Sequence, residues 1–336
     1  MTLTSARARE IMGRFSDCRL LVVGDLMLDR YVTGKVDRIS PEAPVPVVHV
    51  LSEHSVPGGA CNVGLNIQAL GGHSRVCGVV GTCGHGDELM DHLERAGVDV
   101  SAVLRDPEIS TIVKTRVVAD RQQMLRVDRE RTDISEWVES DSFYEILSRG
   151  LEGMTGVILE DYGKGVLQPG VVKRVLNACK QSGIPSGYDP KDNHELDVRG
   201  ITFATPNRKE AFTVAGMRDR TPEAEPMSDT NLEAAATSLC RIWEPEHLLI
   251  TLGPQGMYLK ERERPPVHLT TRAREVFDVS GAGDTVIATT MLALASGANF
   301  VEAAELANVA AGLVVAKLGT ATTSREEILD ALVLRP

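Results

Sequence analysis

The chain has 336 residues, 43% hydrophobic and 25% charged, the mixture of a folded globular protein. Its 36 basic and 47 acidic residues leave a net charge of −11 with no long Lys/Arg run, which argues against a nucleic-acid partner. No apolar stretch reaches the roughly 18 residues of a membrane span, and the N-terminus up to Phe15 lacks an apolar signal region, so a cytoplasmic protein without a membrane partner is expected.

Taken in chain order, short apolar runs alternate with helical periods. Residues 20–24 read as a buried strand, 60–70 as a helix stopped by Gly71-Gly72, 75–80 as a strand and 87–96 as a helix stopped by Gly97. Residue stretches 157–159, 184–188, 201–204 and 247–252 read as further strands, with helices over 169–181 and 232–243. Ala-rich helices are expected over 284–296 and 301–317. This alternation predicts an α/β fold with a mostly parallel sheet covered on both faces.

Two stretches break the rhythm. Residues 31–50 hold Pro41, Pro44 and Pro46 and no helical period, and 112–127 are rich in β-formers. They read as extra strands, forming either a lid over a site or an edge hairpin of the main sheet. Residues 222–230 read as a surface loop. The six cysteines form no CxxC pair and there is no HExxH, so buried free thiols in a reducing compartment are expected rather than a zinc site.

Chemistry concentrates in Asp278-Val279-Ser280-Gly281-Ala282-Gly283-Asp284, which opens a helix. Its glycines let an anion approach the backbone, and N–H groups at a helix start favour a phosphate. Asp284 in the first turn serves either as a partner of the helix dipole or as a general base beside a phosphoryl group, and spacing leaves both open. Walker A and GxGxxG are absent, so the common nucleotide and dinucleotide loops are disfavoured. A second glycine pair stands in Pro57-Gly58-Gly59-Ala60-Cys61-Asn62, at the start of the first helix.

Together, in this order and at this separation, the two motifs resemble the signatures of the ribokinase-like (PfkB) carbohydrate kinases. Three further segments, at 23–31, 38–48 and 161–167, and Gln122-Gln123-Met124-Leu125-Arg126-Val127-Asp128 are similar to the branch of that family that acts on heptose 7-phosphate. The resemblance covers about residues 20–322. It implies a three-layer α/β/α domain over 1–336 with a small β-sheet lid from about 30–50 and 110–128. It also implies ATP and Mg²⁺ as cofactors, possible K⁺ dependence and a sugar phosphate as substrate; the exposed edges such a lid sheet has in a monomer lead us to expect a homodimer formed through it. Many relatives carry a further nucleotidyltransferase domain, and with Pro336 following directly on the last kinase helices that second activity is not expected here.

By the same resemblance Asp284 is the expected base, and the N–H groups of Gly281, Ala282 and Gly283 steady the transferred phosphoryl. Asn207 and Glu210 of an Asn-x-x-Glu motif are implied to organise Mg²⁺ through water. Thr251, Gly253 and Gly256 would border the nucleotide, Asn308 would flank the adenine pocket, and Asp278 lies where a monovalent cation binds in relatives. Asp29, Gly58, Gly59 and Asn62 would hold the sugar, with Lys164, Arg38, Lys114, Arg116 and Arg126 around its phosphate. Positive potential would then be confined to one cleft beneath the lid. Two departures stand out: Cys61 replaces an Ala, and Glu160 a Ser. The rival readings are another sugar or nucleoside kinase of this fold, or a sugar-phosphate sensor without catalysis.

Overall fold

A computed structural model describes residues 3–120, 122–192, 194–220, 222–261, 264–273 and 275–333. Helix α1 (Ser5–Gly13) is capped by the Thr4 hydroxyl and leads into β1 (Arg19–Gly24). A long hairpin follows, β2 (Leu26–Ile39) and β3 (Pro46–Gly59), then α2 (Ala60–Ala69), β4 (His73–Gly81), α3 (Gly84–Arg95) and β5 (Asp99–Asp106). Strands β6 (Ile112–Ala119) and β7 (Gln122–Arg129) precede α4 (Ser135–Val138), α5 (Asp141–Leu151), β8 (Gly156–Glu160) and α6 (Pro169–Ser182). The chain continues through β9 (Ser186–Asp189), β10 (Phe203–Ala204), α7 (Arg208–Val214), α8 (Thr230–Ile242), β11 (His247–Thr251), β12 (Met257–Glu261) and β13 (Val267–Leu269). It closes with α9 (Ala282–Ala295), α10 (Phe300–Val314) and α11 (Arg325–Val333).

The main sheet has nine strands in the order β13-β12-β11-β10-β9-β8-β1-β4-β5. From β11 to β5 all neighbours are parallel, and β12 and β13 add an antiparallel edge. Alternation along β1 shows why both faces are covered: Leu20 and Val22 enter one core, with Ile67, Met291 and Leu306, while Leu21 and Val23 enter the other, with Phe143, Val172 and Leu239. The short, mixed-polarity strands β12 and β13 were not apparent from periodicity. The strand expected over 184–188 forms two residues later, and that over 201–204 shortens to two residues. Residues 222–230 include a short 3₁₀ turn, Pro226–Ser228, before α8 starts.

The two irregular stretches lie in a separate four-stranded sheet, β3-β2-β6-β7, rather than at the edge of the main one. This sheet starts at Leu26, directly after Asp25 leaves β1, so it is anchored at the core. Pro41 and Pro44 fall in the β2–β3 connection and Pro46 is the first residue of β3, where a missing N–H does least harm. Leu51, Leu125 and Val127 of this sheet are exposed. Four cysteines are buried as expected, but Cys83 is exposed because it sits before the first turn of α3, and Cys240 is half-buried. Among the described residues no helix is long and apolar enough to cross a membrane.

Candidate active site

The carboxyl ends of β1, β8, β9, β10 and β11 face one cleft, and polar residues cluster there: Asp25, Glu160, Asp189, Thr205 and Thr251. Open α/β sheets bind ligands at that end. Helix α9 points its first turn into the cleft. Its cap, Gly281, has φ 75°, a left-handed conformation that favours glycine. A Cβ on Gly281 would also lie 2.7 Å from Asn62 Nδ2. The N–H of Ala282 donates to the Val279 carbonyl at 3.2 Å, so it is committed to the turn. Those of Gly281 and Gly283 donate to no group among the described residues.

Asp284 is 5% exposed and held from both sides. Asn62 Nδ2 donates to its Oδ2 at 2.6 Å, and the Tyr162 hydroxyl donates to its Oδ1 at 3.1 Å. Asn62 is itself fixed through Asn66, whose amide donates to the Asn62 carbonyl and whose Oδ1 accepts from Thr285 Oγ1. Burial raises the Asp284 pKa above the ordinary carboxylate value, while Asn62 and Tyr162 pull the other way. Burial beside three carboxylates keeps the Tyr162 phenol protonated, as a donor must be.

On one side of Asp284 lie the residues assigned to the sugar. Asp29 is buried and accepts from Arg116 Nη1 at 2.6 Å. A Cβ on Gly58 would stand 2.5 Å from Asp29 Oδ2, so only glycine leaves that carboxylate in place. Gly59 has φ 59° and turns the chain into α2. Lys164 is paired with Glu130 at 2.8 Å, and Arg126, exposed and opposite Arg116 in the β6–β7 register, with Asp128. Lys114 lies 5.5 Å from the centre of the Tyr162 ring, and burial lowers its pKa. Arg38 is exposed near the far end of β2, nine residues beyond Asp29, so it is not brought to this pocket. The cations of the cleft are largely paired, Arg116 with Asp29 and Lys164 with Glu130, and its floor carries the carboxylates of Glu160, Asp189 and Asp284.

On the other side, Thr251, Gly253, Gly256, Asn308 and Gly283 line an apolar cavity of about 180 Å³ together with Val279, Val286 and Val315. Gly256, with φ 88°, joins β11 to β12 in a hairpin turn that also forms the cavity wall. Asn308 donates to the Thr270 carbonyl at 2.7 Å, which accounts for an amide in an Ala-rich helix. Asn207 and Glu210 form a reciprocal capping box at the start of α7, with Glu210 Oε2 accepting from the Asn207 N–H at 2.8 Å. Asp278 accepts from the N–H groups of Ser280 and Gly319, joining the loops before α9 and after α10.

Four residues of the cleft have no site role from the sequence, although Tyr162 lies in the 161–167 segment and Glu160 is one of the two departures. Tyr162 and Asn66 approach Asp284 only in three dimensions. Asp189 and Glu160 end neighbouring strands, and a carboxylate at the end of a parallel strand is the signal that would have found them. Asp25, also at a strand end, is buried and accepts from the backbone N–H groups of Tyr162, Lys164 and Val166, so it pins the loop that carries Tyr162 and Lys164.

A nine-stranded sheet covered by helices on both faces, a small second sheet and a glycine turn presenting a buried carboxylate define a ribokinase-like protein. The family model for pfkB family carbohydrate kinases matches residues 18–327, and the chain belongs to that family. It is 44% identical over 325 residues to the Bifunctional protein HldE of Pelobacter propionicus, covering 96% of this chain and 65% of the relative. It is 43% identical over 315 residues to the protein of the same name in Caulobacter vibrioides, covering 94% and 63%. The chain thus spans less than two thirds of the length of these curated relatives. Among solved structures, ribokinase of Arabidopsis thaliana complexed with ribose and ATP superposes with a TM-score of 0.76 at 21% identity, covering 95% of this chain and 99% of that one. Phosphofructokinase-2 of Escherichia coli in complex with potassium gives 0.73 at 19%, covering 94% and 98%. These two likenesses establish the fold.

Proposed function

We propose that the chain transfers a phosphoryl group from ATP to the anomeric 1-hydroxyl of D-glycero-β-D-manno-heptose 7-phosphate. The product is the 1,7-bisphosphate, on the cytoplasmic route to ADP-heptose and the lipopolysaccharide core. The observation that carries the reading is Asp284, buried, held by two donors, and placed beside the N–H groups of Gly281 and Gly283, which donate to no group among the described residues. The choice of sugar rests on the four segments similar to the heptose branch and on the likeness to the HldE proteins.

The apolar cavity beside the glycine turn suits an adenine ring, and ATP bound there with Mg²⁺ supplies the phosphoryl group. Asp284 takes the proton of the sugar hydroxyl as the new P–O bond forms. Asn62 and Tyr162 fix which carboxylate oxygen faces the hydroxyl. The N–H groups of Gly281 and Gly283 hold the charge on the phosphoryl oxygens. Asp29, oriented by Arg116, accepts hydrogen bonds from sugar hydroxyls, and Lys114, Lys164 and Arg116 face the sugar's own phosphate. In the capping box Glu210 uses only Oε2, which leaves Oε1 for a water of Mg²⁺. The Asp278 loop junction suits a monovalent cation such as K⁺.

The four-stranded sheet acts as a lid that excludes water from the phosphoryl group. Its exposed Leu51, Leu125 and Val127 support pairing of two lids in a homodimer. An ADP-release assay across sugar phosphates tests the substrate: turnover with fructose or ribose derivatives and none with the heptose phosphate overturns the sugar and keeps the kinase.

A further inference from the structure

Glu160 is the last residue of β8 and Asp189 the last of β9, and the parallel register sets them side by side. Asp284 reaches the same point from the first turn of α9. One carboxylate oxygen from each lies within 4.8 Å of the other two. Their supply of donors is unequal. Asp284 receives Asn62 and Tyr162, and Asp189 receives the Thr205 hydroxyl at 2.8 Å. Glu160 is 1% exposed, and its buried Oε2 has no hydrogen-bond partner.

A buried carboxylate oxygen without a donor is costly, and more so when it faces two further carboxylates. The lysines on the flanking loops and on α7 are committed elsewhere, Lys164 to Glu130 and both Lys191 and Lys209 to Asp192. The cluster therefore lacks positive charge, and its donors are all hard oxygens, the set preferred by Mg²⁺, Mn²⁺ and Ca²⁺. The spacing agrees: oxygens bound to one ion at about 2.1–2.5 Å lie at most about 4.2–5 Å apart. Asp189 is half-buried and opens the cluster to the cleft. It faces Gly283, where an added Cβ would lie 3.5 Å from its Oδ2.

We propose that Glu160, Asp189 and Asp284 bind a hard divalent cation in the absence of nucleotide, at a site separate from the water-mediated Mg²⁺ assigned to Asn207 and Glu210. The cation supplies Glu160 Oε2 with its missing partner and relieves the repulsion among the three carboxylates.

The test uses Mn²⁺ alone, titrated into the full chain without nucleotide or sugar, with free Mn²⁺ followed by electron paramagnetic resonance. One saturable site is expected, and Glu160→Gln and Asp189→Asn are each expected to weaken it at least about tenfold. Glu160→Ser, which shortens the side chain, serves in the same way if the amide variant does not fold, with circular dichroism as the check. Absence of nucleotide-free binding, or a smaller loss in the folded Glu160 variant, overturns the proposal. Because no sugar or turnover enters the measurement, failure of the heptose reading leaves it standing, and its own failure leaves the heptose reading untouched.

Discussion

Asn62 and Asp284 are 222 residues apart in sequence and joined by a hydrogen bond of 2.6 Å, between the first turn of α2 and the first turn of α9. This contact unites the two glycine motifs in one site. It also works against the effect of burial on the proposed base, because an amide donor favours the ionised carboxylate.

A pH dependence follows. Burial holds the Asp284 pKa above its ordinary value of 3.8, and the Asn62 and Tyr162 donors partly offset this. A protonated Asp284 accepts no proton, so kcat/KM falls as pH drops through that raised pKa. Asn62→Leu or Tyr162→Phe removes a donor to the anion and raises the pKa further. The acid limb of the kcat/KM profile is expected to move to higher pH in both variants; a limb that stays in place contradicts the role of these donors.

Asp25 has a mechanical part. Its carboxylate accepts three backbone N–H groups of the 162–166 segment at 2.9–3.2 Å. Asp25→Ala strands those donors and is expected to cost at least about 2 kcal/mol of stability. Urea denaturation measures this, and a loss under about 0.5 kcal/mol, the scale of an unremarkable surface change, counts against it.

The two arginines opposite one another on β6 and β7 are expected to differ. Arg116 holds the buried Asp29 at 2.6 Å, whereas Arg126 makes an exposed pair with Asp128. Exposed pairs contribute about 0–1 kcal/mol, so Arg126→Ala is expected to change kcat/KM less than about fivefold. Arg116→Ala leaves a buried charge unpaired and is expected to raise the sugar KM at least about tenfold. Steady-state kinetics with varied sugar phosphate distinguishes them, and equal effects refute the assignment.

Gly256 is both a turn and a cavity wall. Its φ is 88°, and a Cβ would collide with the backbone of Leu269 and Thr271. Gly256→Ala is expected to cost about 1–3 kcal/mol through backbone strain and to weaken nucleotide binding. Thermal melts with and without ATP check both effects; an unchanged melt shows that the turn has more room than the geometry gives it.

How much of the site was legible in sequence depended on what each part rests upon. Asp284 and the Gly281 and Gly283 turn could be read locally, since a helix start, glycines and a carboxylate are a matter of adjacent residue types. The main strands were readable because buried parallel strands are continuous apolar runs, as in Leu20-Leu21-Val22-Val23. Tyr162, Asn66 and the Glu160–Asp189 pair depend on strand register and on packing of α2 against α9, which no local pattern encodes. Arg38 shows the reverse limit. Its segment belongs to a telling motif, yet the 14-residue length of β2 carries it away from Asp29. Cys83 likewise reads as one more buried thiol until α3 is seen to begin immediately after it.

The most direct test of the whole account is ³¹P NMR of the purified chain with ATP, Mg²⁺ and D-glycero-β-D-manno-heptose 7-phosphate, run beside Asp284→Asn. The account predicts a new anomeric phosphate resonance with the parent chain and a rate lower by about 10²–10⁴ in the variant, whose circular dichroism is unchanged. Comparable formation of the 1-phosphate by a folded Asp284→Asn protein, or no transfer by the parent chain, would contradict it.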